Sequence, residues 1–86
     1  MDKRILELRE QIDKLDEEII GLLKKRMEIS KKVGFIKEQL DIPVEDEKRE
    51  LEIIRRLTQY AGQNLSEEQL IKIFTAVFKS SKQVQR

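Results

Sequence analysis

One apolar seam constrains this chain more than any other feature. Ile5, Leu8, Ile12, Leu15, Ile19 and Leu22 are followed by Ile29, Val33, Ile36 and Leu40, with Arg26 holding the one intermediate place. The steps alternate three and four without a slip, which is the heptad period of a packed helix. The seam predicts a helix from about residue 3 to residue 40, roughly 55 Å long at 1.5 Å per residue. A compact globule of this length has a radius of gyration near 12 Å and is only about 30 Å across. The helix is too long for a globular monomer, so the seam needs cover from outside the chain. A homodimer is the simplest source of it. Arg26 is the anomaly, because a guanidinium in a helix seam is costly unless an anion meets it.

At 86 residues the chain is expected to be a single domain, 1–86. With 18 basic and 17 acidic residues the formal charge is +1, which argues against an electrostatic nucleic-acid binder. The absence of cysteine and histidine removes disulfides, thiolate chemistry, zinc fingers and imidazole bases. Charged residues make up 41% of the chain, with three glycines and one proline, which fits long solvated helices. No apolar run is long enough to span a membrane, and no signal-peptide pattern opens the chain. The expectation is a soluble, cytoplasmic all-α protein.

Asp41-Ile42-Pro43 should end the first helix, since proline disfavours helix at the residue before it. A second helix is expected over about 46–61, capped by Asp46, burying Leu51, Ile54, Leu57 and Ala61, with Gly62 at C′. A third begins at Ser66-Glu67-Glu68-Gln69, a capping box, with Leu65 and Leu70 as a hydrophobic staple. Its buried stripe should be Leu70, Phe74, Val77 and Ser81, with Phe78 alongside, turning polar at Ser81 and Gln85.

Helical geometry sorts the cations. Lys37, 11 residues after Arg26, returns to within roughly 20° of the same face and about 16 Å along the axis. Two long side chains can close that distance around a small anion. Arg9 lies 17 residues before Arg26, about 25 Å away, and can reach the same ligand only from an antiparallel second copy. Arg49 and Glu50 are further candidates to line a pocket over the first helix. From pattern alone, a snorkelling, solvated Arg26 stands level with a ligand-binding one, and for Arg9 and Arg49 the solvated reading is favoured. Ser81 also reads as a small packing residue and Gln85 as a solvated one. Gly21 and Gly34 mark either close backbone approach or nothing.

Several strings together resemble the all-helical chorismate mutases. They are Leu8-Arg9-Glu10-Gln11-Ile12-Asp13-Lys14-Leu15-Asp16, Leu22 to Met27, and Val33-Gly34-Phe35-Ile36-Lys37. Pro43-Val44-Glu45-Asp46 with Arg49-Glu50 continues the likeness, and Phe74 to Gln85, with Ser81 and Gln85 four apart, completes it. The resemblance covers nearly the whole chain. It implies three helices per chain, a long first one, and an intertwined homodimeric bundle. It also implies an isomerase that converts chorismate to prephenate by a Claisen rearrangement in aromatic amino acid biosynthesis, with no metal and no cofactor.

The implied roles follow the family pattern. Arg26 and a second copy's Arg9 bind the substrate's carboxylates, and Lys37 and Gln85 donate to the ether oxygen. Glu50 accepts from the ring hydroxyl with the backbone near Asp46 assisting, while Arg49 and Ser81 complete the polar lining. Family members usually continue beyond the equivalent of Gln85, so its helical turn is expected to fray, or the chain to be a domain of a larger pathway enzyme. Two alternatives stand beside this reading. One is an isochorismate pyruvate lyase on the same fold, against which the Arg49-Glu50 pair and Gln85 argue. The other is a non-catalytic helical dimerisation module fused to a pathway enzyme.

Overall fold

The computed structural model describes all residues, Met1 to Arg86, as three helices and two short connections. These are α1 (Lys3–Gln39), α2 (Glu47–Ala61) and α3 (Glu67–Gln85). α3 packs against both α1 and α2, while α1 and α2 do not pack directly on each other. The protomer measures 56 × 24 × 16 Å, and its radius of gyration is 16.4 Å. Its long axis is the length of α1, and it is well outside the compact range for its size. No helix is long and apolar enough to cross a membrane.

Local chemistry explains where each helix starts. Asp2 caps α1 by accepting the Arg4 amide at 2.7 Å, and Asp46 caps α2 by accepting that of Arg49 at 3.0 Å. Ser66 and Gln69 form the full reciprocal box at α3, with bonds of 2.9 and 3.1 Å. Each satisfies amides that the first turn leaves without a partner.

The end of α1 differs from the proline stop. Leu40 is the cap, and Asp41 takes the left-handed conformation at φ 55. The Asp41 amide donates to the Glu38 carbonyl at 3.2 Å and the Ile42 amide to that of Lys37 at 2.8 Å. This is a Schellman closure with aspartate where glycine is usual, completed before Pro43 can act. Gly62, at φ 62, directly follows α2 and occupies its cap position.

The buried face of α2 also differs from expectation. Ile53 is buried, and Ile54, Leu57 and Ala61 are half-buried, but Leu51 is 55% exposed. The helix meets only α3, so its rotation is set by that contact, and Leu51 falls off the edge of it. On α3, Leu70, Phe78 and Ser81 are buried and Phe74 and Val77 half-buried. Phe74 and Phe78 meet as a tilted pair with ring centroids 5.8 Å apart. The core is small, with three buried apolar side chains, Ile53, Leu70 and Phe78.

α3 does not cover the apolar seam of α1. The residues of α1 that lose solvent are Gly21, Leu23, Arg26, Met27, Ser30, Gly34 and Lys37, a helical stripe beside the seam. Ile5, Leu8, Ile12, Leu15, Ile19, Leu22, Ile29, Val33, Ile36 and Leu40 all remain exposed. Gly34 shows why the neighbouring stripe is used. A β-carbon there would lie 2.6 Å from Cα of Gln85, so glycine lets the end of α3 rest directly on α1. The end of α3 packs on Gly34, and α3 is helical through Gln85.

Candidate active site

The buried stripe of α1, the start of α2 and the end of α3 enclose one cavity of about 310 Å³. Seven of the eight sequence-predicted site residues line it: Arg26, Lys37, Asp46, Arg49, Glu50, Ser81 and Gln85. Its volume is in the range that holds small organic ligands. Four cationic side chains, Lys82 being the fourth, face two carboxylates across it.

Arg26 is the most constrained of the cations. Its guanidinium donates to the Ser81 hydroxyl and sits 5.9 Å over the Phe78 ring, a cation–π distance. No carboxylate of the chain pairs with it. Burial lowers its pKa from the ordinary arginine value, and repulsion from Arg49 adds to the shift. Arginine remains protonated regardless, so the field is that of a fixed, under-compensated cation. Ser81 is buried and hydrogen-bonds in turn to Met27 Sδ at 3.9 Å. Its small size and hydroxyl both serve the contact with Arg26, which joins the packing and the polar readings of that residue.

Lys37 donates to the Val44 carbonyl at 3.2 Å, which brings the α1–α2 connection over the cavity. Asp46 is occupied as the cap of α2, and Arg49, one turn in, lies 3.7 Å from Glu52 on the exposed side. Gln85 carries a buried Oε1 with no hydrogen-bond partner. Half a turn of the amide exchanges this acceptor for the NH₂ donor. The apolar walls come from Ile29, Val33, Ile53 and Phe78.

Arg9 is outside this group. It is exposed on α1, and its guanidinium reaches Met1 Sδ at 2.9 Å. Lys82 is the polar wall residue that sequence reasoning missed. Its ammonium bridges Glu45 at 2.9 Å and Glu50 at 3.3 Å, and these bonds raise its pKa, that to Glu45 most strongly. A signal was available: Lys82 follows Phe78 by one helical turn and so shares its packed face.

The cavity presents rigid guanidinium and ammonium donors, an amide and an oriented carboxylate. Such a set binds a small polyanion and stabilises charge that shifts within it. Known proteins show the same chain pattern. Residues 8–86 match the model of the family described as chorismate mutase type II. A chorismate mutase of Methanocaldococcus jannaschii is 33% identical over 87 aligned residues, spanning 100% of this chain and 88% of that protein. A bifunctional chorismate mutase/prephenate dehydratase of Aquifex aeolicus is 38% identical over 55 residues, 64% of this chain and 15% of that one. The crystal structure of chorismate mutase from Helicobacter pylori in complex with prephenate superposes with a TM-score of 0.91 at 42% identity. It covers 98% of this chain and 91% of that one. On fold, cavity and likeness together, the chain belongs to the chorismate mutase type II family and is an isomerase of chorismate.

Proposed function

We propose that the rearrangement of chorismate to prephenate takes place in the cavity between α1, α2 and α3, completed by a second copy of the chain. The observation that carries this is the convergence of Arg26, Lys37, Asp46, Arg49, Glu50, Ser81 and Gln85, from three helices, on one cavity. Arg26, held by Ser81 and Phe78, binds one substrate carboxylate, and Arg9 of the second copy binds the other. Lys37 and Gln85 donate to the ether oxygen, where negative charge builds as the carbon–oxygen bond breaks. Glu50 accepts from the ring hydroxyl, with the backbone at Asp46 beside it, and Arg49 completes the cationic wall.

The bond changes are concerted and internal to the substrate. No proton is moved, which suits a chain without histidine or cysteine. The acceleration comes from holding the reactant folded and from donors aimed at the developing charge before it appears. The exposed seam from Ile5 to Leu40 supports an antiparallel homodimer. Covering it on both copies would stabilise the assembly by roughly 15–30 kcal/mol of apolar transfer energy before the cost of association. A cytoplasmic location, and fusion to a pathway enzyme as in the bifunctional relative, fit the same reading.

The test is disappearance of chorismate and appearance of prephenate with the purified chain, alongside an isochorismate assay for pyruvate and salicylate. Prephenate formation lost on replacing Arg26 supports the site. Pyruvate release without prephenate overturns the assignment.

A further inference from the structure

Five ion pairs occur in the protomer, and three join residues within one helical turn of each other: Arg4–Asp2, Arg49–Glu52 and Lys72–Glu68. The other two share one ammonium. Lys82 on α3 meets Glu45 of the α1–α2 connection at 2.9 Å and Glu50 of α2 at 3.3 Å. It is thus the one charged side chain that ties three parts of the chain together. Its side chain is 22% exposed and that of Glu50 28%, so the pair sits at the cavity wall. α1 and α2 do not pack directly, so besides this bridge the connection is held over the cavity by the bond from Lys37 to the Val44 carbonyl.

Glu50 shares the cavity with Arg26, Lys37 and Arg49. A carboxylate released among three cations pairs with one of them. That would withdraw a cation from the substrate and turn the carboxylate away from the hydroxyl. The Lys82 ammonium, on α3, lies 3.3 Å from that carboxylate. Having two carboxylates of its own, it is also poorly suited to compete for those of the substrate.

We propose that Lys82 is a positioning residue, which aims the Glu50 carboxylate and keeps it from pairing with Arg26, Lys37 or Arg49. This rests on the reading of Glu50 as the acceptor for the substrate hydroxyl. Partly exposed ion pairs contribute little to stability, so the effect belongs in the kinetics rather than in the melting temperature.

The experiment measures kcat, KM and thermal melting of the full chain for Lys82→Met, Lys82→Gln, Lys82→Arg, Glu50→Gln and the Lys82→Met/Glu50→Gln double variant. Lys82→Met and Lys82→Gln should each lose about tenfold in kcat/KM, as expected for a displaced contact group. Part of the loss should appear as a raised KM, with melting close to wild type. Lys82→Arg should recover most of the activity. In the Glu50→Gln background the Lys82→Met change should cost little more, because the group it aims is gone. Near wild-type kinetics in Lys82→Met, an equal loss in both backgrounds, or no recovery in Lys82→Arg overturns the proposal. If Glu50→Gln is silent, the hydroxyl-acceptor role falls and this proposal with it. An impaired Glu50→Gln beside a silent Lys82→Met removes the Lys82 role alone.

Discussion

Two stripes run side by side along α1, and they follow opposite rules. The apolar one, from Ile5 to Leu40, is exposed over its whole length. The one that α3 covers contains the buried small residues Ser30 and Gly34, with the end of α3 resting directly on Gly34. Along α1, then, close packing within the protomer uses Ser30 and Gly34, while the heptad apolar residues stay exposed. A protein rarely leaves so much contiguous apolar surface in water unless another surface covers it. The stripes converge at Arg26, which occupies a place in the heptad series and is also half-buried beneath α3. The site therefore lies where the buried stripe of α1 meets its exposed apolar one.

The largest expected effect comes from that crossing. Arg26→Ala should lower turnover by about 100-fold or more, as for removal of a charge-assisted donor to an anion. Stability should hold or rise, since an unpaired, desolvated cation is removed. Arg9→Ala should be as damaging although it lies outside the cavity of its own chain. Mixing the two inactive chains should restore part of the activity, because one of the two sites in a mixed dimer then keeps both arginines. Verified chain exchange without recovery would refute the cross-chain role of Arg9.

Gln85→Glu tests the far wall with a similar magnitude. Glutamine does not titrate, so wild-type kcat/KM should be nearly flat from about pH 5 to 8, where only histidine normally titrates, and the chain has none. In the variant a donor exists only while the carboxyl is protonated. Ionised, it opposes the charge building on the ether oxygen. Activity should be highest in acid and fall by about 100-fold as pH rises through that carboxyl's pKa. A flat profile in the variant would remove Gln85 from the ether oxygen.

Gly34→Ala probes the covered stripe itself. Its β-carbon would stand 2.6 Å from Cα and 2.8 Å from the carbonyl oxygen of Gln85, so backbone must move. Overpacking of this kind costs about 1–3 kcal/mol, against about 1 kcal/mol gained in helix propensity. The net change should be a loss of about 0–2 kcal/mol of stability. The displacement of Gln85 should cost ten- to 100-fold in kcat, roughly the penalty of an ångström of misplacement. A variant with unchanged kcat would show that the end of α3 tolerates repositioning.

What the sequence disclosed was local. Asp46, Ser66 and Gln69 act within a few residues of themselves, so caps and helix limits were legible. So was the set of cavity residues, through the resemblance. The rotation of α2 was not, because Leu51 and Ile53 are both apolar and only the position of α3 decides between them. Lys82 was missed for a related reason: Glu45 and Glu50 are 37 and 32 positions away, and no periodicity relates them. Gly34 was visible as a choice between close approach and nothing, and only the end of α3 resolved it.

If the apolar stripe is covered by a second copy, stability must depend on concentration. Each tenfold dilution should lower unfolding free energy by about 1.4 kcal/mol, the mass-action value for a dimer that unfolds to two chains. Sedimentation at micromolar concentration should give twice the 10.3 kDa chain mass. A melting temperature independent of dilution, with a sedimenting species of single-chain mass, would leave the stripe without its cover.

The smallest effect is expected just past both stripes, at Asp41. Its φ of 55 places a side chain in the left-handed region, and its carboxylate lies at the negative end of α1. Both features are unfavourable, and they can be separated. Asp41→Asn removes the charge but keeps the side chain, so it should gain only the helix-dipole part, about 0.3–1 kcal/mol at low salt. Asp41→Gly removes both and should gain slightly more, offset by the freedom glycine adds to the unfolded chain. Added salt should shrink the Asp41→Asn gain and leave the backbone part of the Asp41→Gly gain in place. Because the Schellman bonds lie wholly within one chain, from Asp41 to Glu38 and from Ile42 to Lys37, both gains should be the same at every protein concentration. That constancy separates the end of the helix from the seam. A gain that grew on dilution would mean that the turn at Asp41 is itself shaped by the second copy.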